Sequence, residues 1–361
     1  MTPSPAEYRE NLLRAYRFQS PQWIPIASGL PWLDWSSHGY EPEELERICL
    51  RHPFLLPDFT PGTLRRNHEM VLRDRPDMVA NNAYRDPWGC VWQTKVTGMV
   101  GAVTHHPLAS WDAFDGFHAP DPDRTDGLLQ LDWGQQRRER EQARQCGRLS
   151  GGWIPHGHTF LRLQDLRGYE NLIFDMADED PRLDRLIGIL TDFHCELIRR
   201  WLALEPDVIT IAEDLGMQTS PMLSPAQFRR YIAPVYERLT RPIKATGVLV
   251  HEHSDGFVMP LIDDIIRTGG DVINVQDLVN GIDRLAKEVK GRIAIDLDID
   301  RQHITVNGSP QEIDDHIREC VTKLASPAGG LSLVYQPWPP TPARNMDAVF
   351  TAMEKYAFGF N

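Results

Sequence analysis

Val248-Leu249-Val250-His251-Glu252-His253-Ser254-Asp255-Gly256 opens as an apolar run of strand length and closes in residues that bind metals or carry protons. The same grammar recurs on either side of it. An apolar run at 208–212 leads into Glu213-Asp214-Leu215-Gly216-Met217-Gln218, and one at 272–275 into Gln276-Asp277. The run at 293–297 carries Asp296 and leads to Asp298 and Asp300, and the run at 331–335 ends at Tyr335-Gln336. With a further run at 152–155, these strands alternate with helical stretches at 181–204, 225–239, 259–267, 283–289, 310–324 and 346–356. Strands alternating with helices make a parallel sheet joined by crossover helices. No glycine-rich phosphate turn opens the alternation, so the expected fold is α/β, a (β/α)8 TIM-type barrel.

The pattern is regular only from about residue 149. Residues 1–148 are rich in Pro and Trp and read as an N-terminal elaboration with the first barrel elements, the whole of 1–361 being one domain. Helices are expected at 4–17, 42–51 and 130–148, a short strand at 23–26, and a hairpin at 83–94 turning on Pro87-Trp88-Gly89. The 361 residues carry 38 basic and 51 acidic side chains, a net charge of −13. That balance argues against a nucleic-acid partner, whose phosphates need clustered Lys and Arg. Five unpaired-looking cysteines and no 18-residue apolar stretch point to a cytoplasmic protein with reduced thiols and no membrane partner.

Functional groups of a parallel barrel gather just past the C-terminal ends of its strands. Five consecutive strands ending in reactive or polar residues make a site the better explanation than ordinary loop polarity. His251 and His253 are two apart and face one side of an extended backbone, with Asp255 two further on. Imidazole and carboxylate suit zinc and similar divalent ions, so His251, His253, Asp255 and Glu213 are the candidate metal ligands. Glu213, Asp214, His253 and Tyr335 are the candidate catalytic groups. Trp88, Gln218, Gln276, Asp298 and Gln336 are candidates for holding substrate. Ser224-Pro225-Ala226-Gln227 supplies its own cap and first turn for the helix that follows, which frees the Glu213-Asp214 pair.

These stretches carry a resemblance. Ala212 to Gln218 followed by Ser224-Pro225 and Phe228-Arg229, His253-Ser254-Asp255-Gly256 with Gln276, Gly329-Gly330 leading to Asn345, and Asp86-Pro87-Trp88-Gly89-Cys90-Val91-Trp92 together resemble the uroporphyrinogen decarboxylase superfamily, over about 14–356. The resemblance implies one of two chemistries. The decarboxylases remove acetate carboxylates from a tetrapyrrole without metal. The methyltransferases move a methyl group between a small methylated compound and a corrinoid protein, commonly with zinc held by a His-x-Cys-Gly motif. His253-Ser254-Asp255-Gly256 occupies that motif's place with Asp255 where the thiolate stands. The segment from Pro25 to Trp32 lacks the arginines that hold substrate carboxylates in the true decarboxylases, so uroporphyrinogen is not expected to be turned over. The expected activity is therefore methyl transfer from a small O-, N- or S-methyl substrate to a corrinoid partner protein, with zinc or another divalent ion assisting. The alternatives are a carboxy-lyase and a non-catalytic barrel binding a tetrapyrrole or corrinoid.

Overall fold

The computed structural model describes residues 2–358. Along the chain the strands are β1 (Ile26–Ser28), β2 (Ala83–Arg85), β3 (Val91–Gln93), β4 (Ala102–His105), β5 (Gly151–Ile154), β6 (Val208–Ala212), β7 (Leu249–Ser254), β8 (Val272–Gln276), β9 (Ala294–Asp298) and β10 (Leu331–Tyr335). Two compact units are distinguished, one of Met1–Asn82, Thr94–Gly101 and Val275–Asn361, the other of Ala83–Gln93 and Ala102–Asn274.

In the first unit β1, β10 and β9 lie side by side in parallel, with Ile26 opposite Leu333 and Leu333 opposite Leu297. Their apolar residues Ile26, Leu331, Leu333, Ile295 and Leu297 are buried, as in strands covered on both faces. Helices Pro310–Leu324 and Ala343–Ala357 belong to this unit, the former opened by a Ser309–Glu312 capping box. The first strand begins three residues later than the sequence indicates. Pro25 has no N–H for a ladder, and its carbonyl instead receives the amide of Leu333 at 2.9 Å.

In the second unit β5, β6 and β7 are parallel neighbours, with Thr210 opposite His251 and Ala212 opposite His253. The hairpin expected at 83–94 is present as β2 and β3, and β4 extends it to three antiparallel strands. Helices Phe160–Arg167 and Tyr169–Ala177, not apparent in the sequence, follow β5 and are divided by Gly168. The helix expected at 225–239 starts at its Ser224 cap, widens at Phe228–Ile232 and resumes as Ala233–Ala245. The widening lies just before Pro234, which has no N–H to return to the turn before it.

β7 also runs three residues further than expected, through Ser254. Glu252 and Ser254 are buried on one side while His251 and His253 are half-buried on the other. Ser254 Oγ receives the amide of Leu215 at 2.9 Å, and Gly270 leaves the space that the Glu252 carboxyl fills. These buried partners hold the polar end of the run in extended form.

Candidate functional site

Three adjacent strands deliver the site. His156 lies two residues beyond β5, Asp214 two beyond β6, and His253 within the last turn of β7's pleat. His156 Nε2 is 3.2 Å and His253 Nε2 3.4 Å from the same Asp214 Oδ1. The two imidazoles sit 5.7 Å apart, centre to centre. One ligand atom from each of the three residues falls within 4.8 Å of the others. Asp255 Oδ1 stands 3.8 Å from His253 Nε2.

On the other side of the ring, His253 Nδ1–H donates to Asn274 Oδ1 at 2.5 Å. That bond fixes the ring and turns Nε2 toward His156 and Asp214, the outer-shell arrangement that orients metal-binding histidines. Burial alone disfavours the His253 cation, but Asp214, Asp255 and Asn274 outweigh it and lift the pKa to about 9. Burial also opposes ionisation of Asp214, yet His156 and His253 together hold its carboxyl well below the usual carboxylate range. The site is thus negatively charged at the carboxylate and set to hold a cation or an imidazolium.

The loops beyond β6 and β7 are stitched together. The amide of Glu213 donates to the His253 carbonyl at 3.0 Å, that of Gly216 to Asp255 at 3.2 Å, and that of Phe257 to Met217 at 2.7 Å. The Asp255 amide donates to Asp214 Oδ1 at 3.1 Å. At the centre, Gly216 and Gly256 meet backbone to backbone. A Cβ on Gly216 would lie 2.4 Å from the Phe257 nitrogen, and one on Gly256 2.3 Å from the Gly216 carbonyl carbon. Gly256 also adopts a φ of +80°, which favours glycine.

The uroporphyrinogen decarboxylase (URO-D) family profile matches residues 163–356, just over half of the 361. The chain belongs to the uroporphyrinogen decarboxylase family. Among solved structures it is similar to a methyltransferase from Methanosarcina mazei, with 17% identity and a TM-score of 0.65 over 97% of this chain and 98% of that one. This likeness shows the fold, the TIM-type α/β class expected from the alternation of strands and helices. A B12-independent methionine synthase from a Shewanella species is similar at 13% identity and a TM-score of 0.45, over 94% of each chain. No curated protein matches significantly.

In this uroporphyrinogen decarboxylase family member the close-set group contains His253 of the four expected ligands, together with Asp214, expected as a catalytic group, and His156, while His251, Asp255 and Glu213 are not among its three members. Glu213 is fully buried. Its Oε1 accepts the amides of Thr159 at 3.0 Å and Leu161 at 2.9 Å, capping helix Phe160–Arg167, and its Oε2 accepts the Tyr236 hydroxyl at 3.2 Å. Burial outweighs these bonds and lifts its pKa to about 7. His156 is the residue that sequence reasoning missed. The strand-end rule applied to β5 reaches it, since Pro155-His156 directly follows the strand.

Of the residues proposed to hold substrate, Gln218 is exposed on the Asp214 loop and Trp88 is buried against Phe117 and Phe193. In the first unit, Tyr335 is fully buried with its ring 5.9 Å from Phe350, while Gln276 and Gln336 are half-buried. Asp298 pairs with Arg301 at 2.8 Å, Asp296 bonds Ser332, and Asp300 caps helix Ile304–Asn307 through the amides of His303 and Ile304. The three alternating aspartates are therefore each partnered separately.

Behind the site a buried cluster ties the antiparallel hairpin to helix Phe160–Arg167. Arg162 Nη1 is 2.7 Å from Asp86 Oδ2 and 3.6 Å from Asp165 Oδ2. One guanidinium thus faces two carboxylates. Burial pushes Asp165 up to about 6, Arg162 only partly offsetting it while Asp86 adds to it. A raised carboxyl favours the protonated fold, so this contribution to stability is complete below pH ~3.8 and declines as pH rises to about 6. Asp165→Asn is expected to flatten that decline, measured as urea midpoints between pH 4 and 7; an unchanged slope in the variant removes Asp165 from the effect.

Proposed function

We propose that this chain is a metal-assisted methyltransferase, taking a methyl group from a small O-, N- or S-methyl substrate and passing it to a corrinoid on a partner protein. The observation that carries the reading is the convergence of His156, Asp214 and His253, with Asn274 on the far nitrogen of His253. Two imidazoles and a carboxylate fit zinc or another divalent ion, and they contain no thiolate. When bound, such an ion supplies a Lewis acid that polarises the substrate heteroatom. His253 presents Nε2 because Asn274 accepts the proton on Nδ1. Asp214 brings the negative charge that holds the cation, with Asp255 close by. Gln218, exposed on the same loop as Asp214, offers an amide to orient a small polar substrate. The methyl group would pass as a cation equivalent to the reduced cobalt of the partner's corrinoid, which would supply the pair for the new bond, while the heteroatom would keep the old pair and take up a proton from solvent.

The reading is supported by the fold shared with a methyltransferase and by family membership. The test is to incubate the full chain with reduced free cobalamin and a panel of methoxylated aromatics, methylamines and methyl thioethers. Methylcobalamin is followed by its visible spectrum. His253→Ala is expected to lower bound metal by about one equivalent and methyl transfer by at least about 100-fold. Full transfer by metal-free protein would remove the Lewis-acid role. Carbon dioxide release from a carboxylated substrate without methyl transfer would replace the reading with carboxy-lyase chemistry. A tightly held coloured ligand with no turnover would replace it with a binding barrel.

A further inference from the structure

A separate trio lies in the first unit, and nothing above uses it. Asp277 opens the short helix Asp277–Asn280 directly after β8. His316 and Cys320 are four apart on helix Pro310–Leu324, so one helical turn sets them on the same face. All three are buried. His316 Nε2 is 2.7 Å from Asp277 Oδ2, and Cys320 Sγ is 3.8 Å from the same nitrogen. One ligand atom from each falls within 4.8 Å of the other two.

We propose that Asp277, His316 and Cys320 form a binding site for a thiophilic divalent ion of the zinc type. The site does not depend on the activity proposed above. Its donors are an oxygen, an imidazole nitrogen and a sulfur, a mixed set that zinc accepts and that calcium or magnesium does not. Around tetrahedral zinc such donors stand roughly 3.3–3.7 Å apart. The sulfur–nitrogen separation of 3.8 Å is already near that. The ion needs the Asp277–His316 contact to open by only roughly 0.6 Å. Asp277 Oδ1 is held by the amide of Leu278 at 2.5 Å, which leaves Oδ2 as the atom turned to the site.

An open groove of about 580 Å³ lies along helix Pro310–Leu324, with His316 in its lining beside Glu312, Asp315, Arg318, Glu319 and Lys323. Arg318 pairs with Asp315 at 2.6 Å and Lys323 with Glu319 at 2.5 Å, so the groove carries both signs of charge. Binding releases two protons to solvent or to His316 Nδ1, the Cys320 thiol proton and the one shared by His316 Nε2 and Asp277 Oδ2, and replaces them with metal–sulfur, metal–nitrogen and metal–oxygen bonds.

The test uses the metal-free full chain titrated with cobalt(II) alone. A thiolate–cobalt charge-transfer band is expected in the near ultraviolet, saturating at about one equivalent and displaced by zinc. The band should disappear in Cys320→Ser and persist in His253→Ala, whose own site contains no sulfur. If Cys320→Ser does not fold, X-ray absorption of the zinc-loaded wild-type chain decides, with one sulfur expected at about 2.3 Å from zinc. No thiolate band and no sulfur around zinc would overturn the proposal. A band that survives in Cys320→Ser would overturn it equally, by assigning the sulfur to another cysteine.

Discussion

Replacing Arg162 by methionine is expected to lower the stability of the chain by about 3–5 kcal/mol, because it leaves a buried carboxylate without its counter-charge. Asp86 is the carboxylate concerned. Its Oδ2 accepts from Arg162 at 2.7 Å and from Trp92 Nε1 at 2.9 Å, and its Oδ1 accepts the Cys90 amide at 2.9 Å. The side chains of Arg162 and Asp86 are 3% and 0% exposed, so water does not replace a missing partner. The guanidinium also lies 5.8 Å from the centre of the Trp92 ring. Removing both charges at once is far milder than removing one, so Asp86→Asn with Arg162→Met should recover a large part of the loss. Urea denaturation of the two single variants and the double variant measures this. A loss below about 1 kcal/mol for Arg162→Met would show that the pair does not hold the hairpin to the helix.

Gly216→Ala is expected to be nearly as damaging and to reach the site directly. Its Cβ would lie 2.4 Å from the Phe257 nitrogen and 2.5 Å from the Gly256 carbonyl carbon. Both are backbone atoms in a loop held by its own hydrogen bonds, so neither yields cheaply. A cost of about 3 kcal/mol is expected, at the upper end of overpacking. The loops that must part carry Asp214 and Asp255, so metal affinity should fall on the order of 10–100-fold. Gly188→Ala is the control. Gly188 sits within helix Pro181–Leu202 with nothing within 4 Å of its added Cβ, and alanine there should stabilise by about 0.5–1 kcal/mol. Metal affinity unchanged in a folded Gly216→Ala chain would mean that the loop contact does not position Asp214.

The order of elements was legible wherever local chemistry is self-sufficient. Strands 208–212 and 331–335 and helices Pro42–Arg51 and Pro310–Leu324 end where their apolar runs, prolines and caps say they should. Boundaries moved where a distant partner decides them. The polar end of β7 stays extended because Ser254 meets the Leu215 amide, 39 residues away in sequence. The site was half legible for the same reason. His253 and Asp214 follow from strand ends, but their pairing with His156 requires knowing that β5, β6 and β7 are neighbours. Glu213 illustrates the limit most sharply. Adjacent to Asp214 and chemically its equal, it is turned inward to the amides of Thr159 and Leu161, a role fixed by a helix that the sequence does not announce.

The alternation along β7 also sets what kinds of change this strand can survive. Substituting His251 or His253 alters one donor and leaves the rest of the ladder in place. Adding or deleting a single residue inside Leu249–Ser254 does something different in kind, because every side chain past that point changes sides. Glu252 would then stand among the site residues, and the histidines would face the packing that Glu252 now fills. Within β7, therefore, composition can drift but length cannot. Insertions and deletions have a tolerant place just upstream, at the exposed turn of Gly247, where nothing crowds the backbone and the ladder has not yet begun.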